Sequence, residues 1–369
     1  MNWTPEQDDA LKAVDRWLKK GEQQVFRLFG YAGAGKTTLA RHFAENAGGE
    51  VAFAAFTGKA AHVMREKGCE GATTIHSLIY RPARGDDDTE DGDLLFTLRR
   101  DAPASTADLI VIDECSMVDE ELGRDLLSFG KPVLVLGDPA QLPPVKGGGF
   151  FTETEPDFML TEIHRQARDN PIIRLSMQIR EGRPQTGSDD FGGDHNCRII
   201  RRDEVTSEDI LDADQVLVGT NRTRKRFNDR IRELRGFSDP FPEAMEKLVC
   251  LRNNKKKGLL NGGLWQVVLR KAPRGDKARM IVSPEDGGKN VSISVPRAMF
   301  TDGPETVPWA KRKNSDEFDY GYALTVHKSQ GSQWDNVVLF DESYAFRDHA
   351  ARWLYTGVTR AAERLTLVR

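Results

Sequence analysis

Gly30-Tyr31-Ala32-Gly33-Ala34-Gly35-Lys36-Thr37 has the residue types and spacing of a loop that wraps phosphates. Glycines let the backbone curl so that successive N–H groups point inward, and a helix starting at Lys36 adds positive potential at its N-terminus. In such a loop Gly33, Ala34, Gly35, Lys36, Thr37 and Thr38 surround a nucleoside triphosphate. Lys36 reaches the β- and γ-phosphates, and the Thr37 hydroxyl takes a Mg²⁺ ion. A second magnesium anchor is offered by Leu109-Ile110-Val111-Ile112-Asp113-Glu114, an apolar run that ends in two acids. Asp113 is expected to hold Mg²⁺ through water, and Glu114 to orient and deprotonate the attacking water. Two adjacent acids favour NTP hydrolysis over a kinase or a switch-type GTPase, and no Asn-Lys-x-Asp guanine-reading sequence is present.

The elements that must hold these groups can be read around them. Pro5 to Lys20 predicts a helix, with Leu11, Val14, Trp17 and Leu18 at helical spacing, Thr4 as N-cap and Pro5 at the first helical position. Val25–Phe29 predicts a strand running into the glycine loop, followed by a helix from Lys36 to Asn46. Further strands are predicted at Val51–Phe56, Asp108–Ile112 and Pro132–Leu136, with a helix from Lys59. Short apolar strands separated by helices predict a parallel sheet covered on both faces. Two segments break the rhythm. Arg81 to Thr106 is polar and acidic with one apolar cluster, Leu94-Leu95-Phe96, and reads as an insertion. From Leu251 to Phe318, short β-like runs at Leu264–Leu269, Ala278–Val282 and Val291–Val295 predict a small β-barrel. Asp214–Val218 and helical Arg222–Leu234 precede it, and Val337–Phe340 and Leu365–Val368 follow, so a second α/β sheet is interrupted by a β insert. Gly182–Asn196 is expected to be an exposed loop.

The 369 residues suffice for two or three domains, and 38% apolar with 30% charged residues excludes collagen, low-complexity and disulfide-scaffold classes. No apolar run approaches the roughly 18 residues of a membrane span, so no membrane association is expected. Cys69, Cys115, Cys197 and Cys250 are scattered, which fits a reduced, cytoplasmic setting. The net charge of −4 conceals a basic stretch, residues 220–277, with 16 lysines and arginines against 6 acids. Such a stripe on an acidic body can hold a phosphate chain. The run from Asp86 to Asp93 is acidic at six of eight positions.

More motifs follow in order. They are Thr4-Pro5-Glu6-Gln7, Phe56-Thr57-Gly58-Lys59-Ala60-Ala61, Thr73-Thr74-Ile75-His76-Ser77-Leu78 and Leu136-Gly137-Asp138-Pro139-Ala140-Gln141-Leu142-Pro143-Pro144-Val145. Leu160-Thr161-Glu162-Ile163-His164-Arg165-Gln166, Tyr322 to Ser332 and Leu354-Tyr355-Thr356-Gly357-Val358-Thr359-Arg360-Ala361 complete the set. Together they resemble the superfamily 1 DNA helicases of the RecD/Dda-like, 5′→3′ branch, which are AAA-type P-loop ATPases, and the resemblance runs from Trp3 to Val368.

The resemblance implies two RecA-like parallel-sheet P-loop domains, each with an insertion, and ATP with Mg²⁺ between them. Residues 1–80 and 107–158 would form the ATP-site domain and 81–106 a strand-splitting pin. Residues 159–250 and 319–369 would form the second domain and 251–318 an SH3-like barrel. By the same resemblance Gln7 reads adenine, Gln141 senses the γ-phosphate, and Arg165 and Arg360 reach the transferring phosphate. Gln333 stands where the branch often has an acid near the ribose. Single-stranded DNA would contact Thr57, Lys59, Thr74, His76, Thr325, His327 and Lys328, with Phe96 as a wedge at the pin tip. Hydroxyls and lysines suit phosphates, and rings can stack on bases. Trp265 and Trp334 are expected to pack internally. Asn261-Gly262-Gly263-Leu264-Trp265 has Trp where the family's barrel turn has a second Gly, so that turn must differ.

The implied activity is 5′→3′ translocation on single-stranded DNA with separation of duplex. An RNA or RNA–DNA helicase and a translocase or remodeller that needs a partner to unwind stand as alternatives. The implied partners are single-stranded DNA, single/double-strand junctions and proteins of replication, recombination or repair. A monomer in the cytoplasm of a bacterial or phage-infected cell is expected.

Overall fold

The computed structural model describes residues 3–46, 48–82, 96–143, 149–162, 170–183, 196–254, 256–285 and 287–369. Helix α1 (Pro5–Lys20) forms because both of its ends are closed. The Thr4 hydroxyl accepts the Gln7 N–H at 3.2 Å and Gln7 Oε1 accepts the Thr4 N–H at 3.1 Å, while Gly21 stops the helix at φ 63°. Its buried stripe is Ala10, Val14 and Trp17.

The first sheet uses β1 (Val25–Gly30), β2 (Val51–Ala55), β3 (Thr73–Thr74), β6 (Leu109–Asp113), β7 (Val133–Gly137) and β8 (Phe158–Leu160), all parallel, in the order β3-β2-β6-β7-β1-β8. Central strands β2 and β7 carry no polar side chain, and β6 none before Asp113, because both faces are covered. Leu134 and Leu136 enter one core, with Phe26, Leu28, Phe53 and Val111, beside α1 and helices α2 (Lys36–Asn46) and α3 (Gly58–Glu66). Val133 and Val135 enter the other, beside α4 (Ile75–Ile79) and α5 (Glu120–Leu127). Between β3 and β6 an antiparallel ribbon pairs β4 (Tyr80–Pro82) with β5 (Phe96–Leu98).

The second sheet is parallel in the order β16-β10-β17-β18-β9, built from β9 (Cys197–Ile200), β10 (Gln215–Val218), β16 (Ala323–Thr325), β17 (Trp334–Phe340) and β18 (Ala361–Val368). Helices α6 (Pro171–Arg180), α7 (Asn221–Leu234) and α8 (Ala350–Val358) flank it. Between β10 and β16 the chain makes an antiparallel sheet, β14-β13-β12-β11-β15, from β11 (Lys247–Cys250), β12 (Leu264–Arg274), β13 (Lys277–Pro284), β14 (Val291–Pro296) and β15 (Phe318–Tyr320). It shares a core with the second parallel sheet, where Val216 and Val218 meet Leu248, Val267 and Phe318. The fold is thus mixed α/β with two RecA-like domains.

Some sequence expectations shift. Strand starts and ends move by a residue or two, and Asp113 closes β6 itself. The antiparallel sheet begins with β11, before Leu251, and ends with β15 at Tyr320, after Phe318. The first sheet extends past residue 158 through β8. Strands β3, β8, β9, β11, β15 and β16 escaped the periodicity reading because each is two to four residues long and is defined by its neighbours. The positive φ of the Asn261 turn falls on Gly262 at 86°, and Trp265 lies in β12, buried in the core. Most of the acidic insertion, residues 83–95, lies outside the described residues, as does 184–195 of the expected loop.

Candidate active site

The loop after β1 takes the geometry its glycines permit. Gly33 and Gly35 adopt φ values of 81° and 78°, a region that strains other residues. A Cβ on Gly30 would stand 2.8 Å from the Leu160 Cβ on β8. Lys36 folds back on the loop, its ammonium donating to the Gly30 carbonyl at 2.6 Å and the Tyr31 carbonyl at 3.1 Å.

From the end of β6, Asp113 Oδ2 accepts the Thr37 hydroxyl at 2.8 Å and Oδ1 accepts the Glu114 N–H at 2.8 Å. Glu114 occupies the left-handed region at φ 55° and ψ 43°. Holding a glutamate there costs about 1–3 kcal/mol and marks a turn over-determined by its surroundings. Burial pushes the Glu114 pKa up. The Arg360 guanidinium and Lys36 oppose this, while Asp113 and Asp138 add to it.

A cavity of about 450 Å³ joins these groups to the second domain, lined by Gly33, Gly35, Lys36, Thr37, Thr38, Asp113, Glu114, Gln141, Gln333 and Arg360. Arg360 is 5% exposed and braced by its own domain. Its Nε donates to the Thr356 carbonyl at 3.1 Å, Nη1 to the Ser332 carbonyl at 3.1 Å and Nη2 to Thr359 Oγ1 at 3.2 Å. Gln141 Oε1 is buried in this cavity with no hydrogen-bond partner among the described residues. The donor set suits a triphosphate with Mg²⁺: loop N–H groups and two cations for phosphate, a hydroxyl and a carboxylate for a hard cation.

Sequence reasoning missed part of this wall. Asn170 caps α6, accepting the Ile172 and Ile173 N–H groups at 2.8 and 3.3 Å, and all three residues line the cavity, so a helix N-terminus faces it. The Asn170-Pro171 pair is the signal that could have revealed it. Conversely, Gln7 and Ala34 do not line the cavity. Gln7 is 3% exposed, and its amide donates to the Ala34 carbonyl at 3.2 Å, so it braces the loop and caps α1. Arg165 lies outside the described residues.

The proposed strand contacts sit at the ends of parallel strands. Thr57 follows β2 and caps α3 through the Ala60 N–H at 3.1 Å. Thr74 ends β3 and caps α4 through the Ser77 N–H at 3.1 Å, and Thr325 ends β16 and accepts the Lys328 N–H at 3.3 Å. All three hydroxyls are therefore engaged with the backbone. A Cβ on Gly331 would lie 3.0 Å from Thr57 Oγ1, which brings the segment after β16 against the N-terminus of α3. The His76 ring lies between Phe56 and Tyr80, at centroid distances of 6.1 and 5.7 Å. His327 packs 5.2 Å from Phe346, and burial, then nearby His349, lowers its pKa. Lys328 donates to Asn261 Oδ1 at 2.8 Å, and burial lowers its pKa. Lys59 lies near the N-terminus of α3. Phe96 opens strand β5 and is paired with Pro82, and the connection 83–95 lies outside the described residues.

Two RecA-like sheets with a phosphate loop, two acids and a braced arginine at their junction define a two-domain P-loop nucleotide site. A family model described as an AAA domain matches residues 2–196, and one described as a UvrD-like helicase C-terminal domain matches residues 320–368. The chain belongs to the AAA-domain family, and its C-terminal segment matches the helicase C-terminal model. It is 27% identical to the ATP-dependent RecD2 DNA helicase of Deinococcus radiodurans over 91% of its own length and 46% of that protein. It thus spans under half of that relative. Among solved structures it resembles a Pif1 helicase from work on DNA unwinding at forked double-stranded DNA, with a TM-score of 0.61, 18% identity and coverage of 100% of this chain and 92% of the other. Bacteroides Pif1 bound to single-stranded DNA matches with a TM-score of 0.59, 20% identity and the same coverage.

Proposed function

We propose that this chain is an ATP-dependent DNA helicase that moves 5′→3′ on single-stranded DNA and separates duplex. The observation that carries the reading is the cavity in which Lys36, Thr37, Asp113 and Glu114 of the first domain meet Arg360 and Gln333 of the second. ATP bound there touches both domains, so its hydrolysis changes their relative position. Glu114 orients and deprotonates the attacking water, and Arg360 stabilises charge on the transferring phosphate. Lys36 binds the β- and γ-phosphates, and Thr38, Gly33, Gly35 and Gln333 shape the site. Gln141 reads the γ-phosphate, with Arg165 as a second arginine. Thr37 and Asp113 hold Mg²⁺, which supplies charge neutralisation when bound.

Gln7 and Ala34 act through the loop. Single-stranded DNA crosses both domains over Thr57, Lys59, Thr74, His76, Thr325, His327 and Lys328, with Phe96 in the ribbon that meets the fork. The relatives described as a DNA helicase and as bound to single-stranded or forked DNA support DNA over RNA. The antiparallel sheet is read as the SH3-like insertion, with β11 and β15 reaching beyond 251–318 on either side, and 81–106 is read as the pin. Among the described residues no helix is long and apolar enough to cross a membrane. A monomer working in the cytoplasm with replication, recombination or repair proteins fits this reading.

The test is steady-state ATP hydrolysis with and without single-stranded DNA. Strong stimulation that is abolished in Lys36→Ala supports it. Hydrolysis indifferent to DNA overturns it.

A further inference from the structure

Tyr355 lies on α8 and is 1% exposed, yet its hydroxyl does not serve its own domain. Its Oη accepts the Ala32 N–H of the phosphate loop at 3.1 Å and donates to Asp138 Oδ2 at 2.7 Å. Ala32 and Asp138 follow β1 and β7, which are neighbours in the first sheet. The hydroxyl from the second domain therefore sits between the ends of two adjacent strands of the first. Asp138 is 3% exposed, and its other oxygen accepts the Ala140 N–H at 3.0 Å, which fixes the carboxylate. A hydroxyl has one proton to give. Spending it on a carboxylate leaves a lone pair for Ala32.

Two further contacts surround this point. Arg180, on α6, places its guanidinium carbon 3.5 Å from the centroid of the Tyr31 ring, so two consecutive loop residues are gripped by the second domain. Leu142, four residues beyond Asp138, donates its N–H to Thr356 Oγ1 at 2.9 Å, and its carbonyl accepts from Gln330 Nε2 at 2.9 Å. Its side chain is buried in the second domain's core. Tyr355 and Thr356 thus tie the same helix to the phosphate loop and to the segment that bears Gln141.

We propose that Tyr355 is a positioning residue that couples the phosphate loop to the second domain, through Ala32 and Asp138. This rests on the helicase reading above. A loop that shifts as it closes on phosphate must carry α8 with it, and Arg360 lies just beyond that helix, or else break the Ala32–Tyr355 bond. Burial holds the Tyr355 hydroxyl well above the usual phenol range, so it remains a donor at every working pH. The structure shows the bonded arrangement, and the coupling needs a second one in which the bond is broken.

The experiment uses the full chain and Tyr355→Phe, which keeps the ring and removes only the hydroxyl. The dissociation constant for a fluorescent oligo-dT strand is measured without nucleotide and with Mg²⁺ and AMP-PNP. In the unsubstituted chain the nucleotide changes DNA affinity, and in Tyr355→Phe that change shrinks by about tenfold while nucleotide-free DNA affinity holds. Asp138→Asn, which keeps an acceptor for the hydroxyl, retains more of the change than Asp138→Ala. An unaltered nucleotide response in Tyr355→Phe, whatever happens to its Tm, overturns the coupling role. Failure of the unsubstituted chain to bind the strand overturns the helicase reading and this inference with it.

Discussion

Replacing Arg360 by lysine keeps the charge and removes the fork. A guanidinium has five N–H donors. Three are spent on Thr356, Ser332 and Thr359, so two are left for phosphate. Lysine has three donors on one nitrogen and cannot brace against three partners and still reach forward. Arg360 is 5% exposed, so the freed Ser332 carbonyl is poorly reached by water, at about 1–3 kcal/mol for an unmet buried group, while the Thr356 carbonyl keeps the Thr359 hydroxyl at 3.0 Å. An arginine that stabilises the transferring phosphate is worth about 10³–10⁵ in rate. Arg360→Lys is therefore expected to lower the DNA-stimulated kcat by at least about 10³-fold, a loss concentrated in the transition state, with ATP affinity within about tenfold. The assay is coupled ATP hydrolysis over a range of ATP concentrations, with tight binding of a fluorescent ATP analogue measured separately and thermal unfolding as the control. A kcat within tenfold of the unsubstituted chain refutes the role given to Arg360. So would a loss wholly accounted for by unfolding.

Thr37→Val removes the hydroxyl that Asp113 now accepts, and the Mg²⁺ needed for half-maximal hydrolysis should rise at least about tenfold, read from a metal titration. In the proposed role Glu114 acts as a carboxylate, and burial raises its pKa, so kcat should fall with decreasing pH through a value above the ordinary glutamate range of about 4.3. Arg360→Ala, which removes a cation that opposes that rise, should move the acid limb of the pH profile upward. Lys59→Ala should reduce the slope of log affinity against log salt by about 0.7, one phosphate on single-stranded DNA, whereas Thr74→Ala should leave the slope alone and lower stability by about 0.5–2 kcal/mol through its lost cap. Glu246 is fully buried and bidentate with Arg232, at 2.6 and 3.0 Å, so Glu246→Ala should cost about 3–5 kcal/mol in urea unfolding.

The parts of the site that were legible in the sequence are those whose chemistry is local. A glycine loop between an apolar strand and a helix announces itself, and β6 with its two acids announces the second half, although only the sheet brings Thr37 and Asp113, 76 residues apart, within 2.8 Å. What was illegible depends on the meeting of distant segments. Tyr355 is an unremarked aromatic until α8 is laid against the strand ends of the other domain, 323 residues from its partner Ala32. The N-terminus of α6 faces the cavity for the same reason. The motif around Gln7 points to the nucleotide, and in the structure the capping box and the Ala34 carbonyl engage its amide. The hydroxyls of Thr57, Thr74 and Thr325 suit phosphate by type, and in the structure they cap backbone groups, so any strand contact they make adds to a local duty already discharged. Strands as short as β3 carry no periodicity to read and exist only because longer neighbours pair with them.

The central claim, a motor that separates strands in one direction, is tested most directly by unwinding with ATP and Mg²⁺ on matched duplexes that bear either a 5′ or a 3′ single-stranded tail. The account predicts strand separation from the 5′ tail alone, lost in Lys36→Ala. Separation from the 3′ tail alone, or from neither, would contradict it.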